Sequence, residues 1–173
     1  HSADMPVELY RRLLRTAQKI TGAKDIYRMC EIILAEAQDI TGADGGTFYL
    51  VRQDQEGHDD HLDFVIVRNK SLGINADTHP RHGTVFPLLP LFVGDAGPDG
   101  KRKPNEHNIA AWAYHNRSLV NIADAYTDKR FDFSGTRAFD EKAGYHSQSF
   151  MAVPLQSENG RIIGVFQLIN AID

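Results

Sequence analysis

The residues of this chain that could do chemistry are few. Asp140-Glu141 is an adjacent acid pair, His58-Asp59-Asp60-His61 sets imidazoles beside carboxylates, and Cys30 is the single thiol. His79 and His82 flank Pro80-Arg81, while His107 and His115 fall within one predicted helix. Neighbouring helical residues point about 100° apart, so Asp140 and Glu141 do not converge as a general acid–base pair. They read as a charged helix face, with Arg137 spaced to pair with Glu141 at i,i+4. The His58–His61 run lacks further ligands spaced to complete a metal site and reads as a solvated hairpin turn. The other four histidines read as surface residues, with haem ligation through His115 left open. Cys30 falls on an apolar helical stripe, which predicts a buried structural thiol. The sequence contains no GxGxxG or GxxxxGK[ST] phosphate loop and no GxSxG elbow. With no nucleophile–base constellation, an enzyme is not expected.

The elements that must position these residues follow from periodicity. Pro6 to Thr21 reads as a helix with the stripe Val7, Tyr10, Leu13, Leu14, Ala17 and Ile20. Asp25 to Thr41 reads as a second, striped by Ile26, Met29, Ile33, Ala37 and Ile40 and closed by Gly42. Thr47–Arg52 and Leu62–Asn69 read as a hairpin, with Leu62, Phe64, Ile66 and Arg68 on one face of the second strand. A short strand is expected at Thr84–Phe86, followed by an ordered apolar loop through Leu88–Val93. A third helix is expected over Asn105–Asn116, opened by Pro104 and Asn105. After a brief strand at Leu119–Ile122, a fourth helix is capped by Ser134 or Thr136 and closed by Gly144. Phe131, Phe133 and Phe139 are expected to anchor it, with ligand stacking as the other reading. Gln148–Leu155 and Ile162–Asn170 form a hairpin around Asn159-Gly160, the strongest local turn signal in the chain. The order predicts an α+β fold, an antiparallel sheet of about six strands with helices on both faces. The face under the third and fourth helices is where a pocket would form.

Bulk properties bound the function classes. The 173 residues are 42% hydrophobic and 24% charged, with a formal net charge of −4. Nothing in that balance favours nucleic acid or an anionic membrane. No apolar run approaches the ~20 residues of a membrane span. The polar start His1-Ser2-Ala3-Asp4 lacks a signal-peptide core. One cysteine excludes an internal disulfide and suits a reducing, cytoplasmic setting.

Several motifs together resemble a GAF domain. They are Asn121-Ile122-Ala123-Asp124-Ala125-Tyr126, Arg130-Phe131, Asp140, Ala143-Gly144-Tyr145, Val153-Pro154-Leu155 and Gly164-Val165-Phe166-Gln167-Leu168-Ile169-Asn170. The type is that of cyclic-nucleotide phosphodiesterases and bacterial signalling proteins. The phrase Phe131 to Glu141, with Gly45 to Leu50 and Asn69 to Gly73, is similar to GAF domains attached to bacterial HD-GYP phosphodiesterases. The resemblance implies a PAS-like antiparallel fold over residues 25–173, preceded by a dimerisation or linker helix at residues 1–24. It implies a non-catalytic sensor of a larger cytoplasmic signalling protein, with an output domain on the same polypeptide and a homodimeric state. It also implies a small-molecule ligand, of which a cyclic nucleotide is one candidate. Carried over by motif, the binding residues would be Thr47, Asn69, Ile109, Ala110, Asp140, Ala143, Ser147 and Gln167. The family's binding pattern continues with lysine after the asparagine that ends the last strand, whereas here Ala171 follows Asn170. A lone cysteine argues against the sulfoxide-reducing members, and no cysteine near the pocket helices would hold a covalent bilin. The rival expectation is a ligand-free GAF domain serving as a structural or dimerisation module.

Overall fold

The computed structural model describes residues 26–78 and 86–171, together with Arg11. The helix expected over Pro6–Thr21, His79, His82 and most of the strand expected at Thr84–Phe86 lie outside the described residues.

Helix α1 spans Ile26–Thr41. Its stripe of Met29, Cys30, Ile33, Leu34 and Ala37 is buried because those positions recur at the helical period. Gly42, in the left-handed region at φ 66°, turns the chain out of it. Strands β1 (Gly45–Gln53) and β2 (Asp59–Asn69) form the expected hairpin. Strand β3 (Ile74–Asp77) extends it, and three two-residue strands follow: β4 (Leu89–Pro90), β5 (Phe92–Val93) and β6 (Lys103–Pro104). Helix α2 (Ile109–Asn116), strand β7 (Val120–Ile122), helix α3 (Ser134–Ala143) and strands β8 (Phe150–Gln156) and β9 (Ile162–Ile169) complete the order.

The main sheet runs β3-β2-β1-β9-β8-β7, with β4 also paired to β2, seven strands in all. Each of these pairings is antiparallel. Side chains alternate across the sheet. Phe48, Leu50, Phe166 and Leu168 pack on the α1 side. Tyr49, Val165, Phe150 and Ala152 pack on the side of α2, with Phe131 and Phe133 leading into α3. The α+β expectation, with helices on both faces, holds.

Five local expectations are corrected. The faces of β2 change midway, because a register shift between Phe48 and Tyr49 leaves Val65 as an extra residue opposite β1. Leu62 and Phe64 therefore pack on the α2 side, and Ile66 on the α1 side. Asn105 does not open α2. It is buried, donating from Nδ2 to the Pro90 carbonyl at 2.9 Å and accepting from the His107 amide at 3.2 Å. Asn108 caps the helix instead. Neither Ser134 nor Thr136 caps α3; its N-cap is Phe133, and Asp132 Oδ1 accepts the Ser134 amide at 2.9 Å. Phe139 is 45% exposed and anchors nothing, and Arg137 and Glu141 form no ion pair. Strand β3 went unexpected because Ile-Asn-Ala-Asp is poor in strand formers.

Candidate functional site

Five of the eight residues singled out by motif are buried and polar: Thr47, Asn69, Asp140, Ser147 and Gln167. Burial of such groups is unfavourable unless each finds a partner. Their partners define the local geometry.

Thr47 lies in β1 opposite Val67 on one side and Gln167 on the other. By strand alternation it shares the α2-side face with Tyr49. Gln167 donates from Nε2 to the Tyr49 hydroxyl at 2.6 Å. Burial pushes the Tyr49 hydroxyl pKa far above its ordinary value, against a smaller opposing effect of Gln167.

Asp140 is the polar centre of α3. Its Oδ1 accepts Ser147 Oγ at 2.7 Å, and its Oδ2 accepts both the Ser147 amide at 2.8 Å and the Tyr126 hydroxyl. That hydroxyl is held above its usual pKa, first by this hydrogen bond and then by burial and the nearby charge. The Tyr126 ring stacks on His146 at 4.3 Å. Gly144, at φ 64°, ends α3 and returns its amide to the Asp140 carbonyl, so the segment 145–149 starts directly over the acid.

Asn69, at the end of β2, accepts the Leu72 amide at 2.9 Å, and its side chain lies against the Tyr145 hydroxyl. Tyr145 donates to Asp44 Oδ2 at 2.6 Å and accepts from Asn170 Nδ2 at 3.0 Å. Burial raises the Asp44 carboxyl, but hydrogen bonds from Tyr145 and Ser71, with Lys70 nearby, outweigh it and hold the pKa below the usual carboxylate value.

Ile109 and Ala110 begin α2 and are buried in the apolar core. The Asn108 side-chain oxygen Oδ1 accepts the Ala110 amide at 2.8 Å and the Ala111 amide at 3.3 Å. The helix-start donors that could hold an anion thus have an internal acceptor. Ala143 is half-buried at the end of α3.

The structure brings Asp140 to Ser147 and Thr47 to Gln167, and ties Asn69 to the 145–149 segment through Tyr145. Sequence reasoning missed Tyr49, Tyr126 and Asp44 as partners. Their contacts join positions separated in the chain; Tyr49 and Tyr126 stand inside the phrases Gly45–Leu50 and Asn121–Tyr126 that carry the family resemblance, but nothing in those phrases names their partners. One groove of about 410 Å³ is lined by Asn121, His146, Gln148, Met151 and Asn170 among others, and another of about 260 Å³ by Asp59, Tyr114, His115, Arg117 and Arg161. Neither is lined by any of the eight. His115 Nε2 lies 2.5 Å from the Leu91 carbonyl oxygen. Among the described residues no three His, Cys, Asp or Glu side chains group as a metal site. Also among them, no helix is long and apolar enough to cross a membrane. Cys30 is buried, and burial pushes its thiol pKa up to about 12.

This architecture is that of the GAF fold. A GAF domain from an Acinetobacter phosphoenolpyruvate-protein phosphotransferase superposes with a TM-score of 0.53 at 16% identity, covering 95% of this chain and 77% of that one. The free methionine-R-sulfoxide reductase of Neisseria meningitidis gives 0.50 at 20% identity, covering 97% and 77%. The GAF domain family model matches residues 25–173, and the chain belongs to that family. It is 27% identical over 163 residues to a cGMP-specific 3',5'-cyclic phosphodiesterase of Drosophila virilis, covering 94% of this chain and 16% of that protein. It is 43% identical over 95 residues to a dual 3',5'-cyclic-AMP and -GMP phosphodiesterase 11A of Takifugu rubripes, covering 50% of this chain and 10% of that protein. The chain thus spans a small part of the length of these relatives.

Proposed function

We propose that this chain is a non-catalytic sensor domain that binds a cyclic nucleotide on the α2–α3 side of its sheet and signals to an output domain in a larger protein. The observation that carries the reading is the set of buried polar groups on that side. Thr47, Asn69, Asp140, Ser147 and Gln167 occupy positions that an ordinary core fills with apolar side chains. Hydrogen-bonding groups on the sheet face that also carries the apolar cluster of Ile109, Ala110 and Phe133 suit a ligand with a polar edge and a flat ring. The relatives whose names specify cyclic-GMP and cyclic-AMP phosphodiesterases supply the ligand class. Pairing with a second copy through the helix expected at residues 6–21 would give the signal a dimeric output.

The test is thermal unfolding with cyclic GMP, cyclic AMP and cyclic di-GMP. A ligand at about 100 times its Kd adds about 2.7 kcal/mol of stability, a shift of several degrees for a chain this size. A shift with one nucleotide, abolished by Asp140→Ala, supports the reading. Unchanged melting with all three defeats it. The internal pairing of Asp140, Gln167 and Asn69, and the occupation of the α2 amides by Asn108, favour a second reading. In it the polar cluster is purely structural and the domain acts as a dimerisation module without ligand.

A further inference from the structure

Residues 145–149 carry no regular secondary structure and pass between two polar clamps. Asp140 holds Ser147 from one side, through its amide and its hydroxyl. Asn170 holds the segment from the other. Its Oδ1 accepts the Gln148 amide at 2.8 Å and the Ser149 amide at 3.1 Å. Its Nδ2 donates to the Tyr145 hydroxyl at 3.0 Å and to the His146 carbonyl at 2.8 Å. A primary amide offers two donors and two acceptor positions, so this side chain is fully committed. Its backbone amide also donates to the Ser149 carbonyl at 3.0 Å, and its carbonyl accepts from Asp44, which follows α1.

Asn170 stands immediately after β9, where the chain leaves the sheet, and its φ of 55° is left-handed. Asparagine tolerates that region better than most residues, and the four side-chain bonds hold it there. We propose that Asn170 is a positioning residue that latches the 145–149 strap and couples the strap's position to the direction in which the chain leaves β9. A group that competes for Asp140 or Ser147 draws the strap away. Asn170 then loses its partners, and its left-handed backbone is free to relax. Two arrangements of one segment thereby give two exit directions. The inference rests on the proposed ligand site for what moves the strap; the latch itself is read without any ligand.

Residue-resolved amide exchange by NMR on the 173-residue chain tests it. Asn170→Gly keeps the left-handed backbone without strain and removes the side chain. The Gln148 and Ser149 amides then exchange roughly tenfold faster or more, while Phe48, mid-strand in β1, keeps its rate. Asn170→Asp retains an acceptor oxygen and holds those two amides closer to the wild-type rate than glycine does. Ser147→Ala loosens the strap from the Asp140 side and accelerates the Asn170 amide. The latch is overturned if glycine leaves Gln148 and Ser149 protected, or if it accelerates Phe48 equally, which marks a general loss of stability. Coupling to the exit is overturned if Ser147→Ala leaves the Asn170 amide unchanged. Failure of every cyclic nucleotide to shift the melting point removes the proposed ligand and leaves these exchange results standing.

Discussion

Gln167 donates a 2.6 Å hydrogen bond to the hydroxyl of Tyr49, 118 positions away in the chain, and both side chains are buried. The bond links two sheet-centre strands on the face proposed to bind ligand. Replacing Gln167 by Met keeps the bulk and leaves the Tyr49 oxygen without its donor. The expected cost is about 1–3 kcal/mol in urea unfolding. A Tyr49→Phe, Gln167→Met double variant should recover part of the loss, since apolar groups of similar shape replace both partners. A double variant as unstable as the sum of the singles would show that the pair is not coupled.

Asp140 accepts three hydrogen bonds in a buried position. Asp140→Ala strands the Ser147 amide and hydroxyl, and the expected loss is about 2–4 kcal/mol. Tyr126→Phe removes one bond from the exposed end of the cluster and should cost less. Chemical denaturation of both variants ranks them; equal costs would place the weight of the cluster on Tyr126.

Asp44 provides a pH test. Its folded pKa lies below the unfolded carboxylate value of about 3.9, because bonds from Tyr145 and Ser71 outweigh burial. The unfolded state therefore takes up its proton first on acidification. The Asp44 contribution is fully present above about pH 4 and is lost as pH falls through the lower folded value. The urea midpoint difference between wild type and Asp44→Asn should be largest near neutrality and shrink on acidification below about pH 4. A constant difference would mean the charge of Asp44 is irrelevant to stability.

Two glycines approach their neighbours closely in different ways. A Cβ on Gly164 would lie 2.6 Å from the Tyr49 backbone oxygen, whereas one on Gly46 would lie 2.6 Å from Cδ1 of Leu34. Backbone in a paired strand cannot yield, but the end of a leucine can. Gly164→Ala is therefore expected to cost about 2–3 kcal/mol, and Gly46→Ala clearly less. Thermal melts of the two alanine variants compare them directly.

The local elements were legible wherever a period or a turn residue spoke strongly. The stripe of α1 and the Asn159-Gly160 hairpin appear as expected, with Gly160 at φ 80°. The bulge at Val65 left no trace, since Val-Ile-Val alternates as well with an extra residue as without one. Asn105 and Asn108 both offer helix caps, and only the contact with Pro90 decides which one turns inward. In the candidate site, the motif residues could be named because the family phrase contains them. Their tyrosine partners stand in the same phrases, but nothing in the sequence pairs Tyr49 with Gln167, Tyr126 with Asp140 or Tyr145 with Asp44 until the sheet closes.

The central place of β1 has a consequence for how this chain is made. β1 pairs with β2 on one side and with β9, near the C-terminal end, on the other. At ribosomal speeds of about 5–20 residues per second, the nascent chain waits on the order of ten seconds between emergence of the two strands. Throughout that wait one border of β1 is an open template for pairing with other chains, and Phe48 lacks its stacking partner Phe166. Delivery of β9 closes the border and completes the core in one step, so chains that stop short of Ile162 should aggregate rather than fold.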